Sequence, residues 1–159
     1  MDQINELRSH LMKLLDWQDA HLSFDAVVEG VPTEHRGVQP PGLPHSLWQL
    51  LEHMRLAQLD ILEFCRNPDY REPKMEDYWP RTVGPPTEEA WDESIASFRN
   101  DLNALKQLAA DPDLDLFARI PHGTGQTYLR ELLLVADHNA YHVGQFMTIR
   151  RLLGIWESA

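Results

Sequence analysis

The sequence predicts an all-α protein, a four-helix bundle whose helices are joined by long loops. Two observations lead to this prediction. Apolar residues recur at steps of three and four in four long segments, and no strand-like alternation of useful length is present. Clusters of proline separate the segments. The 159 residues contain no internal repeat, so they suit a single domain, residues 1–159, with a substantial core.

The first predicted helix runs from about Asp2 to Val28, with Asp2 as its N-terminal cap. Its apolar positions recur mostly at helical spacing, at Ile4, Leu7, Leu11, Leu14, Leu15 and Leu22. The segment that follows, residues 29–44, contains four prolines and three glycines. Such a composition cannot continue a helix, so this segment is predicted to be a loop.

The second predicted helix begins at Ser46, where Gln49 three residues later can complete a capping box. It ends near Arg66, because an Asn-Pro pair follows. Its apolar stripe consists of Leu47, Leu50, Leu51, Met54, Ala57, Ile61, Leu62 and Cys65.

Residues 67–86 form a second predicted loop, which contains five prolines and the aromatic residues Tyr70, Tyr78 and Trp79. A loop of this length inside a compact domain usually has a function. We therefore expect it to act as a lid or as a partner surface.

The last two predicted helices complete the bundle. The third begins near Thr87 and ends before Asp111, which precedes a proline. The fourth begins within residues 124–127 and runs to about Leu153, where Gly154 can end it.

The composition excludes several classes of partner. The chain has 14 basic and 25 acidic residues, and its net charge of −11 repels nucleic acid phosphates and anionic membrane surfaces. No apolar run approaches the roughly 18 residues of a membrane span, and the polar N-terminus does not resemble a signal peptide. The single Cys65 excludes an internal disulfide framework and is expected to be a small buried hydrophobe. We expect a cytoplasmic protein that acts on a small molecule.

A pair of histidines is the most informative feature of the chain. His138 and His142 stand four residues apart in the last predicted helix, so both imidazoles lie on one face and can bind one metal ion. His53 lies at the edge of the apolar stripe of the second predicted helix. Three imidazoles from two facing helices would form a metal site with open coordination positions, which is normally a reactive site.

Hydrogen-bonded core histidines would explain the same pattern, because a buried imidazole needs a partner for each nitrogen. The residues alone leave both interpretations open. Other metal templates are absent from the sequence: Asn139 replaces the glutamate of an HExxH motif, and neither ExxH nor Cys-x-x-Cys occurs.

Other residues have weaker signals. His122 is expected to cap a loop, although together with Tyr78 and Trp79 it is also a candidate for the mouth of a pocket. His21 is expected to be a hydrogen-bonded core histidine, with a place in the pocket as the alternative. His45, next to a helix start, is expected to be structural or exposed.

Two segments of the sequence resemble the DinB-like family of YfiT-type metalloenzymes: HSLWQLLEH at residues 45–53 and HNAYHVGQ at residues 138–145. The resemblance covers most of the chain. The family motif, one histidine on the second helix and HxxxHxxQ on the fourth, maps onto His53, His138 and His142, with Gln145 as the trailing glutamine. It implies an up-down-down-up four-helix bundle, commonly a homodimer, with a divalent ion, most often zinc or nickel, in a pocket at its open end.

The resemblance also implies a range of chemistry, because some relatives are thiol-dependent S-transferases or isomerases. An ion held by three imidazoles can bind a thiol or water at a free position and lower its pKa. The expected function is that of a metal-dependent S-transferase or hydrolase, which acts on small electrophiles and uses a low-molecular-weight thiol. The alternative is a non-catalytic metal- or ligand-binding protein related to stress.

Overall fold

The computed structural model describes residues 2–16 and 20–156, and its regular structure is helical. Within these ranges there is no β-strand, only an isolated bridge between Arg119 and Thr127. The all-α prediction is confirmed. The elements are α1 (Gln3–Leu14), α2 (Phe24–Val28), α3 (Leu47–Arg66), α4 (Ala90–Ala110) and α5 (Tyr128–Leu152), with two 3₁₀ turns at Thr33–His35 and Met75–Tyr78.

The prediction of one helix from Asp2 to Val28 is wrong. Helix α1 ends at Leu14, and the backbone of Ser23 is extended, with φ −76° and ψ 165°. The Ser23 side chain accepts a hydrogen bond from the Ala26 amide and thereby starts the separate helix α2. A serine hydroxyl that caps a new helix competes with a helix that would pass through its position, although apolar spacing continues from the end of α1 to Leu22. Residues 17–19 of the predicted helix lie outside the described residues.

The other helix boundaries follow the signals in the sequence. Ser46 and Gln49 form the predicted capping box at the start of α3. The Thr127 side chain caps α5, and Gly154, with φ 70°, follows its end in a left-handed conformation that favours glycine. Helix α4 begins shortly after the predicted Thr87.

The loop at residues 67–86 is fixed to helix α3. The hydroxyl groups of Tyr70 and Tyr78 both donate to the Asp60 carboxylate, at 2.7 Å and 2.8 Å. Burial and the Asp60 carboxylate raise the pKa of both phenols, which therefore remain protonated donors. These bonds hold both halves of the loop against the C-terminal half of α3.

Helix α3 is central to the packing, since it contacts both α4 and α5, while α1 contacts α4 and α5, and α2 contacts α5. The apolar stripe predicted for α3 is buried throughout. A buried polar pair, Gln58 and Asn139, lies between two apolar clusters. Asn139 donates to the Gln58 side-chain oxygen at 2.9 Å, and Gln58 donates to the Phe98 carbonyl at 2.7 Å. This chain of bonds joins α3, α4 and α5 next to His138. None of the helices in the described part combines the length and apolar character that a membrane span requires.

Candidate metal centre

His53 projects from the first half of α3 and is held by the loop above it. Its Nδ1 donates to the Tyr78 carbonyl at 2.9 Å. This bond assigns the proton to Nδ1 and leaves the lone pair of Nε2 free to accept. A backbone carbonyl that orients an imidazole in this way is a common outer partner of a metal-binding histidine.

His138 and His142 occupy successive turns of α5, and the centroids of their rings are 4.5 Å apart. The Nδ1 of His142 donates to the Gln145 side-chain oxygen at 2.7 Å, which again leaves Nε2 with a free lone pair. The helical spacing of three residues places the Gln145 amide beside the ring. Gln145 therefore orients His142 from within the same helix.

The three imidazoles converge, as the sequence predicts. The Nε2 atoms of His138 and His53 are 3.1 Å apart, and one ligand atom from each of His53, His138 and His142 lies within 4.8 Å of the others. Each metal–nitrogen bond is about 2.0–2.1 Å for zinc, so a small rotation of the side chains would let all three reach one ion.

The cluster carries no charge at neutral pH. Burial, and secondarily the neighbouring imidazole of the cluster, lower the pKa of His138 and of His142 to about 4. Burial also lowers the pKa of His53, although its bond to the Tyr78 carbonyl opposes the shift. Neutral imidazole is the form that binds metal. The three side chains are therefore in the ligand state at neutral pH.

The hydrogen bonds of the cluster bear on the choice between metal ligands and structural core histidines. A structural histidine should have a protein partner at each nitrogen. Among the described residues, His142 Nε2 has no such partner, and neither does the buried Nδ1 of His138. The Nε2 atoms of His53 and His138 contact each other, and a single proton on one of them satisfies this contact. The donor set, three neutral imidazoles with inner nitrogens facing one another, therefore fits a divalent transition metal.

Trp79 covers one side of the cluster. Its indole stacks on His53, with ring centroids 3.9 Å apart and planes 3° from parallel, and on His45, at 3.8 Å and 16°. Two rings at such short distances must lie on opposite faces of the indole. Trp79 and Tyr78 are thus both at the cluster, although Tyr78 contributes its carbonyl while its phenol faces Asp60, and their place at a pocket mouth stays a prediction.

An apolar cavity of about 260 Å³, here called the side cavity, lies next to the cluster. It is formed by the segment before α3, the start of α3, and the exposed side of α5 that carries Gln145. Its lining residues are Leu43, Pro44, His45, Leu50, Tyr141, Gly144, Gln145, Thr148 and Ile149.

Two other histidines lie elsewhere. His122 donates to the Phe64 carbonyl at 2.8 Å, and residue 64 is 11 positions or about 16 Å along the helix from His53. His122 therefore caps this region, and its predicted alternative place at the pocket mouth is wrong. His21 is exposed and bonds to the carbonyl of its neighbour Leu22, so the prediction of a core histidine is also wrong; its side chain instead lines a small separate cavity beside Asn139.

Two further residues complete the inventory. Cys65 is buried as predicted, and burial raises the pKa of its thiol to about 12, so it is not an available nucleophile. His45 is half-buried, stacks on Trp79 and lines the side cavity. The expectation of a structural or exposed residue does not include this place at the cavity. No local pattern connects His45 to Trp79, since both lie outside the long helices.

The comparison with known proteins agrees with this geometry. The family profile described as the DinB superfamily matches residues 17–146, which include all three clustered histidines. No curated protein and no solved structure matches the chain significantly. Because the family match covers most of its length, the chain belongs to the DinB superfamily.

Proposed function

We propose that this protein is a metal-dependent enzyme in which His53, His138 and His142 hold one divalent ion, with zinc and nickel as the first candidates. The convergence of three neutral imidazoles carries the proposal, because the facing Nε2 atoms of His53 and His138 have only each other as partners and Nε2 of His142 has no partner in the described ranges. Imidazole nitrogen is a good donor for both metals. The outer bonds to the Tyr78 carbonyl and to Gln145 support it, since they hold two rings in the tautomer that a metal requires.

The proposed reaction is the transfer of a low-molecular-weight thiol to a small electrophile, or the hydrolysis of such an electrophile. A divalent ion with three protein ligands supplies an open position at which a thiol or water ionises more easily. The protein contributes orientation and shielding. Gln145 and the Tyr78 carbonyl orient the imidazoles, and Trp79 covers a face of His53 and keeps water from it.

We also propose that the chain is a single domain with the up-down-down-up four-helix bundle of its family, in which α1, α3, α4 and α5 are the four members. The contacts of α3 with α4 and α5, and of α1 with the same two helices, support this arrangement.

We propose a homodimer as well. Two large apolar side chains of α5 outside the side cavity, those of Leu133 and Leu152, are exposed, and a partner surface would cover them. Light scattering at tens of micromolar protein should give twice the mass of the chain, and a monomer mass would contradict the proposal.

The test of the function is turnover. The protein is loaded with zinc or nickel and offered glutathione, cysteine, bacillithiol or mycothiol with a model electrophile, and hydrolysis is followed without thiol. At least one combination should react more than about tenfold faster than with the His142→Ala protein. Equal rates for both proteins in every combination would favour the alternative, a non-catalytic metal- or ligand-binding protein.

A further inference from the structure

The lining of the side cavity contains no charged side chain. An ionised carboxylate or phosphate that moved into it from water would lose its hydration without gaining a partner of opposite charge. The net charge of −11 opposes the approach of anions as well. The cavity therefore favours an uncharged ligand.

The size of the cavity limits the ligand further. Its volume is about 260 Å³, and an apolar cavity of about 150 Å³ suffices for a benzene ring. Leu43, Leu50 and Ile149 provide apolar contacts on several sides. A single substituted ring, or a branched chain of similar volume, would fill this space.

Two polar groups of the cavity are available to a ligand. His45 makes no hydrogen bond to any residue in the described ranges, and because its Nδ1 is buried, Nε2 is the ring nitrogen that a ligand can reach. Gln145 uses its side-chain oxygen to accept from His142, and its amide NH₂ has no partner in the same ranges. The hydroxyl of Thr148, in contrast, already donates to the Gly144 carbonyl at 2.8 Å. A carbonyl group on a ligand would satisfy a donor on His45 or Gln145.

We propose that the side cavity binds the electrophilic substrate, and that this substrate is an uncharged molecule of about one substituted ring with a carbonyl or equivalent hydrogen-bond acceptor. The assignment rests on the proposed function, because it takes the histidine cluster as the reaction centre. Gln145 connects the two, since it lines the cavity and bonds to His142. The uncharged lining disfavours carboxylate substrates of the same size.

The first experiment compares benzamide, benzoate and toluene, which share one ring and differ in the polar group. Each is titrated into the metal-free protein and followed by the amide NMR shifts of Tyr141, Gly144 and Thr148. Benzamide should cause saturable shifts, benzoate should bind at least about tenfold more weakly, and toluene about fivefold more weakly. Binding of benzoate as tight as that of benzamide, or no binding of benzamide, would overturn the proposal.

Variants test the place of binding. A Cβ at Gly144 would meet no atom within 4 Å, so Gly144→Phe can fill the cavity without a clash of the backbone. It should abolish the benzamide shifts, whereas Ala96→Phe, at an exposed position of α4, should leave them unchanged. A folded Gly144→Phe protein with unchanged benzamide affinity would contradict the assignment.

The His45→Phe protein tests the hydrogen bond and serves also if Gly144→Phe does not fold. Phenylalanine keeps an aromatic ring against Trp79 but cannot donate. Benzamide should bind about fivefold more weakly to it, and toluene equally well. An unchanged affinity for benzamide, or an equal loss for both compounds, would overturn the role of His45.

Metal analysis of the same preparations separates the two proposals. Benzamide binding to the metal-free protein needs no ion. A protein that takes up metal and turns over electrophiles but does not bind benzamide would overturn the cavity proposal alone. Binding of benzamide without metal uptake would support the cavity and remove the proposed function.

Discussion

Two of the buried polar side chains of helix α5, those of His142 and Arg150, are bonded in different ways. The guanidinium of Arg150 donates to the carbonyls of Val27 and Glu29, both at 2.8 Å, and of Ile155 at 3.2 Å. His142, which is 7% exposed, gives one nitrogen to the protein and keeps the other free. Arg150 joins the end of α5 to α2, and His142 faces two other imidazoles instead.

The difference indicates how structural and functional polar groups can be separated in this protein. Arg8, the other buried arginine, resembles Arg150, because it donates to the Ala109 and Leu114 carbonyls. The terminal nitrogens of both guanidinium groups replace lost hydration with protein carbonyls, although the buried Nε of Arg150 lacks a partner among the described residues. The histidine cluster lacks such replacement at its inner nitrogens, and an external partner would supply it.

The largest expected effect is loss of metal from the cluster. Alanine at His53, His138 or His142 should each lower the affinity for zinc or nickel by more than about a hundredfold, since loss of an outer partner alone costs about ten- to a hundredfold. Competition with a chromophoric chelator measures it. The exposed His10→Ala protein is the control and should keep its affinity. Full affinity in any one of the three variants would remove that histidine from the ligand set.

The second prediction concerns Arg150, whose guanidinium is bonded to protein carbonyls. Arg150→Met should lower the free energy of unfolding by about 3 kcal/mol, because three carbonyls lose a charged donor in a buried place. Its affinity for metal should be unchanged while it is folded. Urea unfolding gives the stability, with Arg151→Met, an exposed neighbour, as control. Metal loss in folded Arg150→Met protein would show that the two regions are coupled.

The comparison also explains which features the sequence could predict. Helical spacing and capping residues fall within a few positions of one another, so the limits of α3 and α5 and the common face of His138 and His142 could be predicted. The stack of Trp79 between His45 and His53 could not, because it joins two irregular segments through tertiary packing. The early end of α1 was missed for another reason. Apolar spacing continues through Leu22, well past the end of α1 at Leu14, and the Ser23 cap then begins the separate helix α2.

The third prediction concerns pH and the metal-free protein. The pKa of His142 is about 4 in the folded protein and about 6.5 in an unfolded chain, so the unfolded chain binds more protons between these values. Stability is therefore highest above pH 6.5 and falls as the pH decreases toward 4. Between pH 6.5 and 5, above the range of exposed carboxylates, His142 should account for about 2 kcal/mol.

Urea unfolding of the chelator-treated protein at a series of pH values measures this slope. The His142→Leu protein should lose most of the pH dependence of stability that is attributed to His142. The His10→Ala protein should keep the full pH dependence, because the side chain of His10 is exposed. If the stability of the His142→Leu protein depended on pH as steeply as that of the unaltered protein, His142 would be protonated as easily in the folded protein as in the unfolded one.

The smallest expected effect comes from Gln145, which bonds to His142 but does not belong to the proposed ligand set. Its oxygen gives His142 the only protein partner that this imidazole has within the described ranges. Gln145→Leu keeps the approximate volume but removes the acceptor, so the ring can rotate and its Nδ1 proton loses a partner. Metal affinity should fall about tenfold, which is less than the loss for His142→Ala. Thr148→Val is the matched control, because Thr148 lines the same cavity and bonds only to the Gly144 carbonyl. If both variants bind metal as the unaltered protein does, the bond to Gln145 does not orient His142, and the cluster depends on packing instead.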